Sequence, residues 1–295
     1  MLFIISLISF IAINLAPNSF FASGELNPNI TPEAIEELKA IYGLDKPLYI
    51  QFFSWIYSIL QLDFGISFTS GEKVKEEILS RIPITLTINI VSMILIFIIS
   101  LYFGIKSAMK KNSIFDRFTN QLSLLSFSMP SFYLALVLVL VFSIKFELFP
   151  IAGLHSVPND GSLNYYLDFA WHLTLPIFII VFGGIGSLIL YIRALTIEIL
   201  KSDYIFFARA RGLDNKKILR YYILPNLYPP VITLLGLSLP GIIGGSVILE
   251  TIFSIDGMGL LFYQSALSHD YPVIMGILII VAVLTLIGNM FADLI

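Results

Sequence analysis

Tyr204, Phe207, Ala208 and Arg211 stand at i, i+3, i+4 and i+7 in the stretch YIFFARARGLDNKKILRYYILPN, which runs from Tyr204 to Asn226. That spacing predicts one face of a short helix over Ser202–Arg211. Two aromatic rings, a small residue and a guanidinium make no reaction centre. Their chemistry is recognition, because aromatics and arginine are enriched where proteins meet. Gly212 is placed to close the helix as a left-handed residue. Asp214 is placed to cap a second short helix over Asn215–Tyr222. Leu224-Pro225 then enters the next apolar segment. Two readings of the face compete. It docks on a partner protein, or it lies on anionic lipid with Lys216, Lys217 and Arg220 at the headgroups.

Reaction chemistry finds no other foothold. His155, His172 and His269 are far apart in sequence and form no H-E-x-x-H pair. There is no G-x-x-x-x-G-K-[ST] phosphate loop and no G-x-S-x-G nucleophile elbow. Gly257-Met258-Gly259 lacks the strand and helix of a dinucleotide loop. Cysteine is absent, which excludes disulfides and thiolate metal sites. The expected chain is not an enzyme and binds no metal, cofactor or nucleic acid itself.

The elements that must position the Tyr204–Asn226 stretch are apolar. Hydrophobic residues make up 57% of the 295, and charged residues only 13%, about half the share in a soluble domain. Six charge-free stretches are long enough to cross a bilayer, which takes roughly 20 apolar residues. They are Met1–Gly24, Ile82–Ile105, Phe118–Ile144, Phe169–Ile192, Tyr221–Leu249 and Tyr271–Ala292. A signal peptide competes for the first, but no basic segment opens it and no cleavage site closes it. The expected organisation is a first transmembrane helix over 1–24, an extracytoplasmic loop with surface helices over 25–81, and a five-helix core over 82–295. The loop 193–225 belongs to that core.

Loop charge orients the spans. Seven basic residues lie between spans four and five, from Arg193 to Arg220, and four between two and three. One lies between three and four, and none between five and six. The positive-inside rule then puts loops 2–3 and 4–5 in the cytoplasm, with both termini. In the outer loop, Thr31-Pro32-Glu33 predicts a helix start and Gly43 a stop. Asp45–Gln61 predicts a helix that either lies at the membrane surface, with Trp55 and Tyr57 at headgroup level, or packs on the spans. Val74 and Ile78 share one face of a lead-in that Pro83 should break or kink.

Polar residues inside the spans are chiefly Ser, Thr and Asn, with no Asp, Glu, Lys or Arg. That argues against a buried carboxylate relay, and so against a proton-driven transporter or an autonomous channel. Gly241, Gly244 and Gly245 give span five small surfaces that either pack or line a passage. Glu250 and Asp256 are expected at its outer end. Solvation there is the plainer reading, and a role in the passage or in docking the alternative.

ARARGL…ILRYYILPN…PPVIT resembles the cytoplasmic loop of permease subunits in binding-protein-dependent ABC importers, whose pattern is E-A-A-x3-G-x9-I-x-L-P. Gly212 and Leu224-Pro225 match at the right spacing, and Ala208 matches within the triplet. Phe206, Phe207 and Tyr222 depart from it. YGLDKPLYIQFFSWIYSILQLDFGISF, RIPITLTI, SMPSFYLALVLVLVFSIKFELFPIAG, GGSVILETIFSIDGMG and HDYPVIMG extend the resemblance from Tyr42 to the end, toward the dipeptide/oligopeptide/nickel permeases. Asp256-Gly257 stands where the family has Pro-Gly. The family's basic residues before span one and its usual tail are missing, as in a shortened chain. The resemblance implies an all-α, type I (MetI-like) fold with six transmembrane helices and a cytoplasmic coupling helix over Tyr204–Gly212. It implies a second permease subunit, two cytoplasmic ATPase subunits that hold the ATP and Mg, and an extracytoplasmic solute-binding protein. The expected location is the inner membrane.

Overall fold

Long apolar runs with few breakers give helices joined by short loops. A computed structural model describes residues 6, 7, 10, 11, 46–238 and 241–293. The helix start at Thr31-Pro32-Glu33, the stop at Gly43 and most of the first span lie outside the described residues. Backbone contacts divide the chain into two units. One holds residues 1–85, 243–247 and 256–287, and the other 86–242, 248–255 and 288–295.

In the first unit, α1 (Leu48–Leu60) buries Phe52 against Phe10, edge to face at 5.4 Å, with Trp55 and Met275 beside them. This face settles the packed alternative for α1, while Tyr49, Phe53, Tyr57 and Leu60 stay exposed on the other side. Val74 and Ile78 open α2 (Val74–Met109) and are fully buried, as their spacing predicts. They pack with Met258 of α11 (Met258–Leu267) and with Val273 and Ile277 of α12 (Tyr271–Asp293). Gly276 permits that approach, since a Cβ there would lie 2.9 Å from Val74 Cγ1. Buried Asp270 leads into α12. It accepts hydrogen bonds from the Ser67 hydroxyl at 2.5 Å and from the Phe68 and Thr69 amides. Arg81 pairs with Asp256.

Pro83 lies inside α2 and does not break it. Burial of Val74 and Ile78 before it and of Ile84 and Ile88 after it holds the helix through one lost backbone bond.

In the second unit, α2 continues beside α3 (Ile114–Ser128), α4 (Ser131–Leu138, prolonged by a π segment to Lys145) and α5 (Leu163–Leu200). The expected third span is not straight, because α3 and α4 meet at 98°. Met129 is extended, at φ −87° and ψ 119°. A residue before proline is pushed out of the helical region, so Pro130 starts a new direction. Pro176, by contrast, sits within the unbroken α5.

Helices α3 and α5 touch through small residues. A Cβ on Gly186 would lie 2.5 Å from the Ser123 carbonyl, and the Ser126 hydroxyl donates to the Phe182 carbonyl. Such contacts draw helices together where lipid gives no hydrophobic incentive to associate.

The fifth expected span is broken as well, at Gly245-Ser246, which lie outside any helix. It comprises α8 (Leu224–Ser238), α9 (Gly241–Gly244) and α10 (Val247–Ile252). Among the described residues, α2, α5 and α12 are each long and apolar enough to cross a membrane, and the bent α3–α4 pair makes up to four crossings.

Candidate functional site

Ser202 precedes α6 (Asp203–Ala210), one residue inside the predicted limits. Gly212 has φ +79° and its amide donates to the Arg209 carbonyl at 2.9 Å. The Leu213 amide reaches the Ala208 carbonyl at 3.2 Å. This pair of bonds is a Schellman close, and it needs the left-handed residue that glycine supplies. Asp214 caps α7 (Asn215–Ile218) by accepting from the Lys217 amide at 3.0 Å.

The second short helix does not end at Tyr222. It runs through a π turn, Leu219–Ile223, into α8. The Leu224 amide bonds to the Leu219 carbonyl, and Pro225 follows without an N–H to give. The wider turn takes up the missing bond and the crowding that proline brings to the preceding turn.

The four face residues divide. Ala208 is buried beside Ile205, and both pack on Ile218, Ile223 and Leu227. Tyr204, Phe207 and Arg211 stay exposed. Helical spacing put Ala208 with them, but at a 3.6-residue period it also lies next to Ile205, and the inner side wins it. Phe206 joins the outer face instead, 68% exposed, with its ring edge-on to Phe207 at 5.7 Å. Tyr204 stacks on Tyr222 at 6.3 Å. The result is an aromatic and cationic surface fixed on a buried base. Leu224 is half-buried and Pro225 exposed where α8 begins.

A second feature was hidden in the sequence. Buried Asp116 of α3 takes a two-point ion pair from Arg193 of α5, with Nε at 2.7 Å and Nη2 at 2.9 Å. The Ser107 hydroxyl, the Asn112 amide and the Asn120 carboxamide also donate to it. Counting Arg193 as a loop charge missed a knot that ties α2, α3 and α5. His155 and His172, distant in sequence, also meet at one carboxylate. Their Nδ1 atoms lie 3.6 Å and 3.5 Å from Asp168. The His172 Nδ1 is also 2.8 Å from the Asp168 carbonyl, and its Nε2 is 3.2 Å from the Ser156 hydroxyl. No group of three metal-ligating side chains occurs among the described residues.

Of the expected passage glycines, Gly241 borders a cavity of about 470 Å³ between α2, α5, α8 and α9. Asn89, Ser92, Ser187, Tyr191 and Ser238 are its polar lining. They recur at three- and four-residue spacing among apolar neighbours, a signal present in the sequence but shared with ordinary helix packing. Gly244 ends α9, and Gly245 has φ +66° at the turn into α10. Glu250 is not solvated but buried, at 4% exposure. The chain turns back after α10, with the Ile255 amide on the Glu250 carbonyl at 2.8 Å. Gly153 covers that turn by donating to the Phe253 carbonyl at 2.8 Å.

Two family descriptions match the sequence. "Binding-protein-dependent transport system inner membrane component" covers residues 97–295, and the N-terminal membrane component of the same systems covers 1–89. The oligopeptide transport system permease protein AppB of Bacillus subtilis (strain 168) is 36% identical over 290 residues, 98% of this chain and 90% of that protein. The dipeptide transport system permease protein DppB of Lactococcus lactis subsp. cremoris (strain MG1363) is 33% identical, over 99% of this chain and 91% of its own length. The metal-staphylopine import system permease protein CntB of Staphylococcus aureus (strain Mu50 / ATCC 700699) is 32% identical, over 91% and 82%.

Proposed function

The chain belongs to the inner-membrane components of binding-protein-dependent transport systems, as a multi-pass permease of the peptide/nickel type of ABC importer and not an enzyme, and from this we propose that it carries short peptides by coupling its spans to cytoplasmic ATPase subunits through α6. It forms half of a pore with a second permease subunit. Two ATPase subunits hold the ATP and Mg, and an extracytoplasmic solute-binding protein delivers the substrate. Both termini and the α6–α7 loop face the cytoplasm, and the core has the type I arrangement with six spans.

One observation carries this reading. Phe206 and Phe207 are 68% and 62% exposed on a helix anchored by fully buried Ile205. Large exposed aromatics on a rigid base suit a cleft in another protein better than a lipid surface, where basic side chains would lead. Closing of the ATPase pair then moves α6 as a rigid body and biases two states of the pore. Metal chelates are the second substrate reading, supported by the staphylopine importer among the relatives. A secondary transporter or channel is the alternative of another class.

Purification of tagged chain from its native membrane tests the proposal. An ATPase subunit should co-purify, and Phe206→Asp with Phe207→Asp should release it and abolish uptake. Retention of the ATPase and of uptake by the double variant would reject the docking role.

A further inference from the structure

We infer that the cavity between α2, α5, α8 and α9 receives the main chain of the transported peptide and binds it through neutral groups. The inference rests on the importer reading above. The cavity's volume of about 470 Å³ is that of a small-ligand site. Its walls are mainly apolar, with Met93, Ile96 and Leu234 among them, and no Asp, Glu, Lys, Arg or His is in the lining. The polar groups are hydroxyls and one carboxamide. A hydroxyl both donates and accepts, as the alternating N–H and C=O of a peptide require.

The polar groups are held ready to different degrees. The Asn89 carboxamide is fixed by donating to the Ile242 carbonyl at 2.6 Å, which leaves its oxygen to accept. The Ser238 hydroxyl donates to the Leu234 carbonyl at 2.8 Å and keeps its lone pairs. Ser92 is fully buried, and its hydroxyl has no hydrogen-bond partner. A buried hydroxyl left unpaired is destabilising. Ser92 belongs to the cavity lining but offers no accessible surface there, so the polar groups that meet a guest are those of Asn89, Ser187, Tyr191 and Ser238.

Other guests fit less well. An acyl chain leaves these groups unpaired, and a phosphate headgroup calls for cations that the lining lacks. Neutral walls neither attract nor repel a charged side chain, so peptides of either charge pass the same groups. Gly241 borders the cavity, and among the described residues no heavy atom lies within 4 Å of where its Cβ would stand, so a larger side chain there has open space to enter.

The chain has no cysteine, so one placed at exposed Ser187 reports alone. In the complete transporter, reconstituted with cysteine-free partners, Ser187→Cys should react with a water-soluble maleimide. Its labelling should slow several-fold when the binding protein presents an alanine tetrapeptide with ATP, while Leu163→Cys is unaffected. Gly241→Leu should lose most uptake yet keep stimulated ATP hydrolysis. Labelling that ignores the peptide while uptake proceeds would overturn the inference, as would a thiol that reacts in the isolated chain but never in the transporter. If no peptide is taken up with binding protein and ATP, it is the importer reading that falls.

Discussion

Replacing Arg193 with Met should destabilise the second unit more than any surface substitution. Asp116 is 3% exposed and Arg193 21% at the side chain. Removing one partner of a buried pair costs about 3–5 kcal/mol, because the other charge stays behind without compensation. Asp116 keeps three donors, from Ser107, Asn112 and Asn120, after the loss. That argues for a lower figure, roughly 2–3 kcal/mol, or about 30- to 150-fold in the folding equilibrium. Asp116→Asn should cost about 1–2 kcal/mol, since the freed guanidinium can reach water. The two changes share one interaction, so the double variant should cost less than the sum, by about 1–2 kcal/mol. Denaturant titration of the purified protein in mixed micelles measures all three. Single losses below about 0.5 kcal/mol, the scale of a surface substitution, would refute the reasoning. So would strict additivity.

Gly186→Ala and Gly183→Ala form a matched pair on α5. The first puts a methyl 2.5 Å from the Ser123 carbonyl and the second meets nothing within 4 Å, so thermal unfolding should show about 1–3 kcal/mol lost in the first and none in the second. Gly212→Val should loosen the α6–α7 turn by about 1–2 kcal/mol through its positive φ, with Gly212→Asn milder, as read by amide exchange in residues 208–214. Asp270→Ala strips the acceptor from Ser67, Phe68 and Thr69. Faster limited proteolysis between residues 61 and 72 should follow, at an unfolding cost of about 1–3 kcal/mol.

The loop around Gly212 was legible because its signals are local. A left-handed glycine, an Asp cap and a 3.6-residue period need no distant partner. The buried lead-in of Val74 and Ile78 was legible for the same reason. The division of the α6 face was not, because Ala208 could serve either side until Ile218, Ile223 and Leu227 claimed it. Arg193 read only as one of the basic residues of a cytoplasmic loop, since its union with Asp116 across 77 residues leaves no trace in spacing. Pro83 was expected to break or kink its helix, but proline behaves by context. Pro130 turns the chain, whereas Pro83 and Pro176 ride inside packed helices. Burial of Glu250 was not legible either, and the turn that follows it is bonded to Gly153, almost a hundred positions earlier in the chain.

The central claim is that α6 touches an ATPase. A thiol at exposed Phe207, the single cysteine of an otherwise cysteine-free chain, tests it with a short bifunctional crosslinker in native membranes. The account predicts one dominant product, Phe207→Cys joined to the ATP-binding subunit, with a yield that changes when ATP is added. Crosslinks to lipid or to the permease partner, with none to an ATPase while uptake persists, would contradict it.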